Sequence, residues 1–220
     1  MSTAGIFDEC YEKYDSWYTK NIIIALNEAG AIKSALNYPY QPCLEIGVGS
    51  GWFASKLKCL TGVDPSYNML LKARKRGIEV IQGVGESLPF KSRVFKTVLI
   101  VVTICFVDKP ILVLREAGRI VSSDGRIIVC IIPRNSPWGD YYTELASQGH
   151  VFYSVARFYT RGELIDTASS LGFELEDCLG TLTFHPKEPP YIEEPRKCSG
   201  KEGFICLKFK PYSPQSSLFY

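Results

Sequence analysis

The chain has 220 residues, of which 46% are hydrophobic and 22% are charged. This length fits one α/β domain with a small appendage, and it is enough to bury a core without disulfides or a metal. The 25 lysines and arginines against 23 aspartates and glutamates give a formal charge of +2, which excludes the basic excess that a nucleic-acid partner requires.

The sequence predicts a cytoplasmic protein without a membrane span or a metal. Its longest apolar run, residues 98–107, is shorter than the roughly 20 residues of a spanning helix, and residues 1–9 lack the basic, apolar pattern of a signal peptide. The eight cysteines have no C-x-x-C spacing and only two histidines accompany them, so we expect no metal site. We interpret the cysteines in apolar runs as small buried thiols in a reducing compartment. These are Cys43, Cys59, Cys105, Cys130 and Cys206.

The N-terminal region is rich in aromatic residues at helical spacing. They recur mostly every three or four positions over residues 7–18, which places them on one face of a short helix over residues 7–17. A second helix is predicted over residues 22–36, and Pro39 and Pro42 end the helical region. We expect residues 1–38 to form a helical cap.

Segment 43–52, with the sequence CLEIGVGSGW, is the most informative part of the chain. A short apolar strand that contains Glu45 is followed by Gly47, Gly49 and Gly51 and by a helix over residues 50–58. Glycine has no Cβ and tolerates positive φ, so this turn lets main-chain amides contact a small molecule at the carboxyl end of a sheet. The dinucleotide fingerprint is G-x-G-x-x-G, whereas this motif is G-x-G-x-G preceded by an acid. The difference favours S-adenosylmethionine over a pyrophosphate.

The next two strands end in further candidate ligand-binding residues. The strand at residues 60–63 ends at Asp64, where a doubly wound fold places the acid that accepts hydrogen bonds from a ribose. Taken alone, an aspartate that caps the following helix is an equally good interpretation, and the glycine motif favours ribose binding. Met69, in the helix over residues 66–76, can pack on an adenine, although a core methionine is nearly as good an interpretation. The loop 83–90, after the strand at residues 79–82, can offer amides to the adenine edge.

Strands and helices continue to alternate along the chain. Residues 97–103 and 126–132 predict apolar strands of the kind that parallel sheets bury, with a helix over residues 109–121 between them. Residues 133–172 are rich in aromatics and predict a helical insert, or lid, over the ligand edge. Residues 173–210 predict closing strands, and the polar tail 211–220 is expected to be mobile.

This order of elements predicts an α/β fold in a single domain, residues 1–220. We expect a Rossmann-like, doubly wound, mostly parallel seven-stranded sheet whose cofactor-binding core is residues 42–132. The helical cap precedes the sheet, the helical insert follows strand 5, and a C-terminal antiparallel hairpin closes it.

The chain resembles the class I S-adenosylmethionine-dependent methyltransferases in five runs that occur in the family's order and spacing: LEIGVGSGWFASKL, GVDPSYNML, GVGESLPF, TICFV and VSSDGRIIVCII. The closest resemblance is to the branch of ubiquinone and menaquinone biosynthesis methyltransferases, whose N-terminal cap resembles the run FDECYEKYDSWY. The resemblance covers residues 7–173. The resemblance implies S-adenosylmethionine as cofactor, in-line methyl transfer to a small-molecule acceptor, and S-adenosylhomocysteine as product.

The resemblance also implies site residues. Glu45 and Thr103 are expected near the methionine end of the cofactor, Asp64 at the ribose, and Tyr14 above the cofactor. The full cofactor-binding set is Tyr14, Glu45, Gly47, Gly49, Gly51, Asp64, Pro65, Met69, Gly85, Glu86 and Thr103. The chain departs from the family at Val84 and Lys96, where an aspartate is frequent, so a carboxylate contact to the adenine is not expected at these positions.

No catalytic residue follows from the sequence, and the acceptor pocket is a weaker prediction. The candidates are aromatic residues of the cap and insert, together with one histidine: Tyr11, Trp17, Trp138, Tyr141 and His150. Packing in the core explains such aromatic residues first, and a lone histidine is more often structural than a base. A cofactor-binding protein without transfer activity stays as the alternative function. A nicotinamide-dependent oxidoreductase is disfavoured because its fingerprint is absent.

Overall fold

The computed structural model describes residues 2–212, and its strands form one mixed sheet. In chain order the strands are β1 (Cys43–Ile46), β2 (Thr61–Asp64), β3 (Glu79–Gln82), β4 (Phe95–Val101), β5 (Val121–Ile131), β6 (Phe173–Thr181), β7 (Arg196–Lys197) and β8 (Phe204–Pro211). The helices are α1 (Thr3–Glu9), α2 (Tyr11–Lys20), α3 (Ile22–Ala35), α4 (Trp52–Leu57), α5 (Tyr67–Lys75), α6 (Pro110–Ile120), α7 (Pro137–Ser147) and α8 (Arg161–Ser170). A short 3-10 helix spans Tyr153–Val155.

The strand order is β3-β2-β1-β4-β5-β8-β6-β7. Strands β1 to β5 pair in parallel, and β8 lies antiparallel between β5 and β6. This confirms the predicted Rossmann-like, mostly parallel sheet with antiparallel closing strands. The two-residue β7 adds an eighth strand at the edge, next to β6. Its Pro- and Glu-rich surroundings show no strand pattern in the sequence.

Helices cover both faces of the sheet. On one face, α3 and α7 bury residues such as Ile32 and Tyr142 against alternate residues of β4 and β5. On the other face, α6 and α8 bury residues such as Val113 and Leu164 against the intervening strand residues. Because both faces are covered, β4 is apolar over residues 98–101 and β5 over residues 127–131 rather than alternating, as buried parallel strands require. The sheet therefore leaves only its edges and strand ends for binding.

Two predicted helical regions differ from the structure. The predicted helix 7–17 is two helices, since α1 ends at Glu9 and Cys10 separates it from α2. In the predicted lid, α8 packs on the sheet rather than over a ligand edge, because its Leu164 and Ala168 are buried in the core. The tail was predicted at residues 211–220; Pro211 is the last residue of β8, and residues 213–220 lie outside the described residues.

Three disulfides form, and four of their six cysteines are ones that we interpreted from the sequence as small buried thiols. The disulfides are Cys43–Cys59, Cys130–Cys206 and Cys178–Cys198. Cys43, Cys59, Cys105, Cys130 and Cys206 are buried as predicted. Four of these five are paired, which the interpretation missed, because the fold brings together partners 16 and 76 residues apart. Cys130 and Cys206, for example, are directly opposite each other on β5 and β8. Spacing alone does not reveal such pairs.

No helix within residues 2–212 combines the length and hydrophobicity needed to cross a bilayer.

Candidate functional site

A cavity of about 550 Å³ lies at the carboxyl ends of the parallel strands. The strand order reverses between β1 and β4, so the chain leaves these neighbours in opposite directions and opens a crevice between them. The loops that follow β1, β2, β3 and β4 line this crevice, and α1 covers it. Doubly wound folds bind their ligands at this place.

The glycine motif forms the cavity wall beyond β1. Gly47 has φ +71°, and a Cβ on it would lie 2.2 Å from Cγ2 of Thr103, so only glycine lets the ends of β1 and β4 approach this closely. Gly49 has φ +51°, and a Cβ on it would meet only Tyr14, at 3.8 Å. The space beside Gly49 therefore belongs to the cavity. Gly51 has another role, because it caps α4 and a Cβ there would crowd Ala73 at 3.0 Å.

Asp64 ends β2 with its carboxylate held by two main-chain amides. The Gly49 amide donates to Oδ2 and the Ser66 amide donates to Oδ1, each at 2.9 Å. Burial raises the pKa of Asp64 to about 6, although the amides of Ser66 and Gly49 lower it. At neutral pH the group is a carboxylate, and each oxygen keeps a lone pair for a ligand hydroxyl.

Helix α1 is fastened over the cavity by Asp8. Its Oδ1 accepts hydrogen bonds from the Ser66 hydroxyl at 2.8 Å and from the Asn68 amide at 2.9 Å. These bonds, the one from the Asn68 amide first, lower the pKa of Asp8. The same helix contributes Phe7 to the cavity lining. Neither Asp8 nor Phe7 was assigned to the site from the sequence, and the Asp8 contact spans 60 residues, so no local pattern shows it.

Glu45 is buried but lies outside the cavity lining. It is 2% exposed, and its Oε2 has no hydrogen-bond partner within residues 2–212. Burial, with the nearby Asp64 carboxylate, raises the pKa of Glu45 to about 8. Because neighbouring strand residues point to opposite faces, Ile46 borders the cavity and Glu45 points away toward α4.

Val102 follows β4 in a conformation that the sequence does not reveal. Its φ is +53°, which is strained for a β-branched residue, and its amide donates to Cys130 O at 2.8 Å. Strained residues of this kind concentrate at functional sites. Val102 lines the main cavity and also a second cavity of about 230 Å³ behind it.

Nine of the eleven predicted cofactor-binding residues line the main cavity: Tyr14, Gly47, Gly49, Asp64, Pro65, Met69, Gly85, Glu86 and Thr103. The other two, Glu45 and Gly51, do not. Of the two residues that depart from the family pattern, Val84 lies in the cavity and Lys96 lies outside its lining. Val84 lines the cavity and is 48% exposed, whereas Lys96 forms an ion pair with Asp124 on β5.

The predicted acceptor residues divide in the same way. Trp17 and His150 line the second cavity. Trp138 does not, because it is 2% exposed in the core and its Nε1 donates to Phe184 O at 2.9 Å. Tyr141 packs beside Trp138, and Tyr11 lies at the surface under the Lys72 ammonium. No group of three or more potential metal ligands comes together within residues 2–212.

The family model of the methyltransferase domain matches residues 44–129. The uncharacterized protein MJ1123 of Methanocaldococcus jannaschii is 40% identical over 205 residues, which cover 92% of this chain and 97% of that protein. An uncharacterized protein of Mycobacterium tuberculosis is 41% identical over 165 residues, or 74% of this chain, and the matched part spans 58% of its length. A crystal structure from Thermotoga maritima is 38% identical with a TM-score of 0.89, covering 94% of this chain and 99% of that one. It is named a SAM-dependent methyltransferase and possible histamine N-methyltransferase.

The fold and its cavity thus define an α/β protein of the kind that binds a nucleoside cofactor at a switch point. With these comparisons, the chain belongs to the class I S-adenosylmethionine-dependent methyltransferases.

Proposed function

We propose that the protein transfers a methyl group from S-adenosylmethionine to a small-molecule acceptor. The observation that carries this proposal is the Asp64 carboxylate, which two amides fix at the wall of the cavity beside the open space at Gly49. A carboxylate in this position can accept hydrogen bonds from the two hydroxyls of a ribose. The cavity volume of about 550 Å³ is within the range of ligand sites.

The residues around the cavity fit the other parts of this cofactor. Asp64 would hold the ribose, Met69 and Gly85 would border the adenine, and Thr103 would face the methionine end. Neither Val84 nor the neighbouring Glu86 supplies the aspartate that the family often uses, so main-chain groups of this loop would contact the adenine amine. Glu45 would act indirectly, since it does not reach the cavity.

When bound, S-adenosylmethionine supplies a methyl carbon on a positively charged sulfur, so an acceptor lone pair forms the new bond while the carbon–sulfur electron pair stays on sulfur. The chain has to orient the acceptor and exclude water. Phe7, Tyr14 and Phe106 are suited to exclude water, because they pack edge to face with ring centroids 5.3 and 4.9 Å apart and border the cavity.

The acceptor and the branch of the family are further proposals. The name of the Thermotoga maritima protein makes amines, histamine among them, candidates for this chain as well. Membership of the ubiquinone and menaquinone branch rests on the resemblance of the sequence runs, the N-terminal one included, and stays a prediction. The cytoplasmic location also stays a prediction, and the three disulfides remove the argument for it from unpaired thiols.

The test is calorimetric titration with S-adenosylhomocysteine of the wild type, Asp64→Asn and Asp166→Asn. Asp166 is an exposed aspartate of α8 and is the matched control. We expect Asp64→Asn to weaken binding about tenfold to a hundredfold, since hydrogen bonds to a charged group contribute about 1.5 to 3 kcal/mol, and Asp166→Asn to leave it unchanged. Thermal melts show whether Asp64→Asn remains folded. Equal affinity of all three folded proteins would refute this site.

A second assay separates transfer from binding alone. Labelled S-adenosylmethionine is incubated with a panel of amines, phenols and thiols, and methylated products are identified by mass. Product from any acceptor supports the transferase. Cofactor binding without turnover on the whole panel would favour the alternative, a cofactor-binding protein that acts as a sensor or partner subunit.

A further inference from the structure

The second cavity is built from aromatic residues and one buried acid. It has a volume of about 230 Å³ and shares Tyr14, Val102 and Phe106 with the cofactor cavity. It lies between the N-terminal helices and the segment that contains α7 and the 3-10 helix. The two cavities adjoin at these shared residues, so a molecule in the second cavity would lie next to the cofactor cavity.

Glu28 of α3 lines this cavity with a buried and unpaired carboxyl group, as far as the described residues show. It is 3% exposed, and no hydrogen bond or ion pair to its carboxyl group occurs among the described residues. Burial raises the pKa of Glu28 to about 8. An isolated buried carboxyl group destabilises the fold, and an apolar residue would fill the same space without this cost. A ligand that pairs with Glu28 would offset this cost.

Aromatic rings surround the space in front of Glu28. Tyr142 and Tyr153 pack with centroids 4.3 Å apart, and His150 stacks on Tyr153 at 4.4 Å. Tyr18 and Trp17 close the side formed by α2. The faces of such rings carry partial negative charge and attract cations.

The charges near Glu28 agree with a cationic ligand. Burial first, and then the Glu28 carboxylate among other groups, raise the pKa values of Tyr14, Tyr18, Tyr142 and Tyr153, so these phenols stay neutral. The two lysines of the lining, Lys13 and Lys20, are exposed residues of α2 at the cavity mouth. An acidic acceptor brings no positive charge to pair with Glu28, and an apolar acceptor would leave it unpaired.

We propose that this cavity binds the methyl acceptor as a small organic amine, with its nitrogen against Glu28 and its body among the aromatic rings. This inference rests on the proposed function and names the acceptor class. The volume is below the range of about 300 to 1,000 Å³ for sites of drug-sized ligands, which favours a compact amine. The sequence does not single out Glu28, because it is the one acid of a mainly apolar helix.

Glu28 also gives the amine a way to become a nucleophile. An ammonium has no free lone pair, so one N–H bond must break with its electron pair left on nitrogen. The proton moves to a carboxylate oxygen of Glu28, and the pair changes from ammonium and carboxylate to amine and carboxylic acid. A buried site favours this neutral pair, because charge separation is costly there. Either form of the pair holds one proton between the two groups.

The experiment titrates 2-phenylethylamine, n-hexylamine and the neutral 2-phenylethanol into the full chain saturated with S-adenosylhomocysteine. Calorimetry at pH 7 is repeated in two buffers of different ionisation enthalpy. We expect an amine to bind at least tenfold more tightly than 2-phenylethanol and to release close to one proton, because free Glu28 is mainly protonated at this pH. Amine affinity should rise about tenfold between pH 7 and pH 8.5. Burial, and then the Lys13 charge, lower the pKa of His150, so its titration lies further below this pH range than that of an ordinary histidine.

The matched variants are Glu28→Gln and Glu194→Gln, the second in an exposed loop. Glu28→Gln should lose the preference for amines and the proton release while it still binds S-adenosylhomocysteine, and Glu194→Gln should behave as wild type. If neither amine binds wild-type protein better than the alcohol does, or if Glu28→Gln retains the proton release, the inference is wrong. If S-adenosylhomocysteine itself fails to bind wild-type protein, the proposed function fails instead.

Discussion

Alanine at Gly49 tests whether the wall of the main cavity is a ligand contact. Gly49 has φ +51°, and a Cβ there would have one neighbour within 4 Å, Cε1 of Tyr14 at 3.8 Å. The protein itself therefore has room for the methyl group. A bound nucleoside that touches this wall would not, because the methyl group would fill its space.

Gly49→Ala should have two separate effects, one on the stability of the backbone and one on ligand affinity. A left-handed conformation costs an alanine about 1 to 2 kcal/mol, which Gly49→Ala loses in free energy of unfolding whether or not a ligand binds there. Gly77, just beyond α5, supplies the control, since it has φ +81° and a Cβ on it would have no neighbour within 4 Å. Gly77→Ala should lose a similar free energy of unfolding. Overpacking by one methyl group costs about 1 to 3 kcal/mol, so the ligand part corresponds to a tenfold to hundredfold loss of affinity for Gly49→Ala alone.

Urea denaturation measures the free energy of unfolding of both variants, and calorimetry with S-adenosylhomocysteine measures their affinities. We expect similar destabilisation of the two variants, weaker binding by Gly49→Ala, and unchanged binding by Gly77→Ala. If the two variants bind the ligand equally well, no ligand atom lies against Gly49 and the placement of the cofactor is wrong.

Three further perturbations test other parts of the molecule. Asp8→Ala should release α1 and weaken S-adenosylhomocysteine binding several-fold by calorimetry. The control Glu9→Ala removes an exposed neighbouring carboxylate and should leave binding unchanged. If both variants bind equally well, the Asp8 contacts do not support ligand binding. The pKa of Glu45 is about 4.5 in the unfolded chain, and burial raises it to about 8 in the folded protein. The contribution of Glu45 to the free energy of unfolding is therefore fully present below pH 4.5 and is lost as the pH rises to about 8. Glu45→Gln should therefore melt several degrees above wild type at pH 8.5 and close to it at pH 4.5, and a pH-independent difference would contradict the assignment. Replacing both Cys178 and Cys198 by serine should lower the free energy of unfolding, measured by urea titration, by about 3 kcal/mol, because the disulfide closes a loop between cysteines 20 residues apart. No change would indicate that the disulfide does not form.

The core of the fold could be predicted because its signals are local. The strand before Gly47 is apolar, the glycines mark the turn, and helices and strands then alternate at ordinary lengths. The helix bounds agree within a few residues, as with α3, predicted at 22–36 and found at Ile22–Ala35. Asp64 was placed by its distance from the glycines, a rule that holds because β1 and β2 are adjacent in the sheet.

The missed features depend on contacts between distant segments. Asp8 reaches Asn68 across 60 residues, and Cys130 meets Cys206 across 76. Trp138 was predicted in the acceptor pocket because it is aromatic, but burial on the sheet required its side chain in the core. No sequence signal marks Glu28, because a single acid in a helix is normally a surface residue and its burial follows only from how α3 packs.

The two cavities share one electrostatic property, which is that buried carboxyl groups lie in or near both of them. Asp64, Glu45 and Glu28 are all buried, and burial raises the pKa of each, which means that each destabilises the free protein when ionised. The two proposed ligands, a sulfonium cofactor and an amine, both bring positive charge, so they would relieve this cost on binding. They would also repel one another where the cavities adjoin, beside Tyr14, Val102 and Phe106, while both are charged. Transfer of the amine proton to Glu28 removes that repulsion at the step where the nitrogen needs its lone pair, which is why a carboxyl group with a raised pKa suits this position better than an ordinary one.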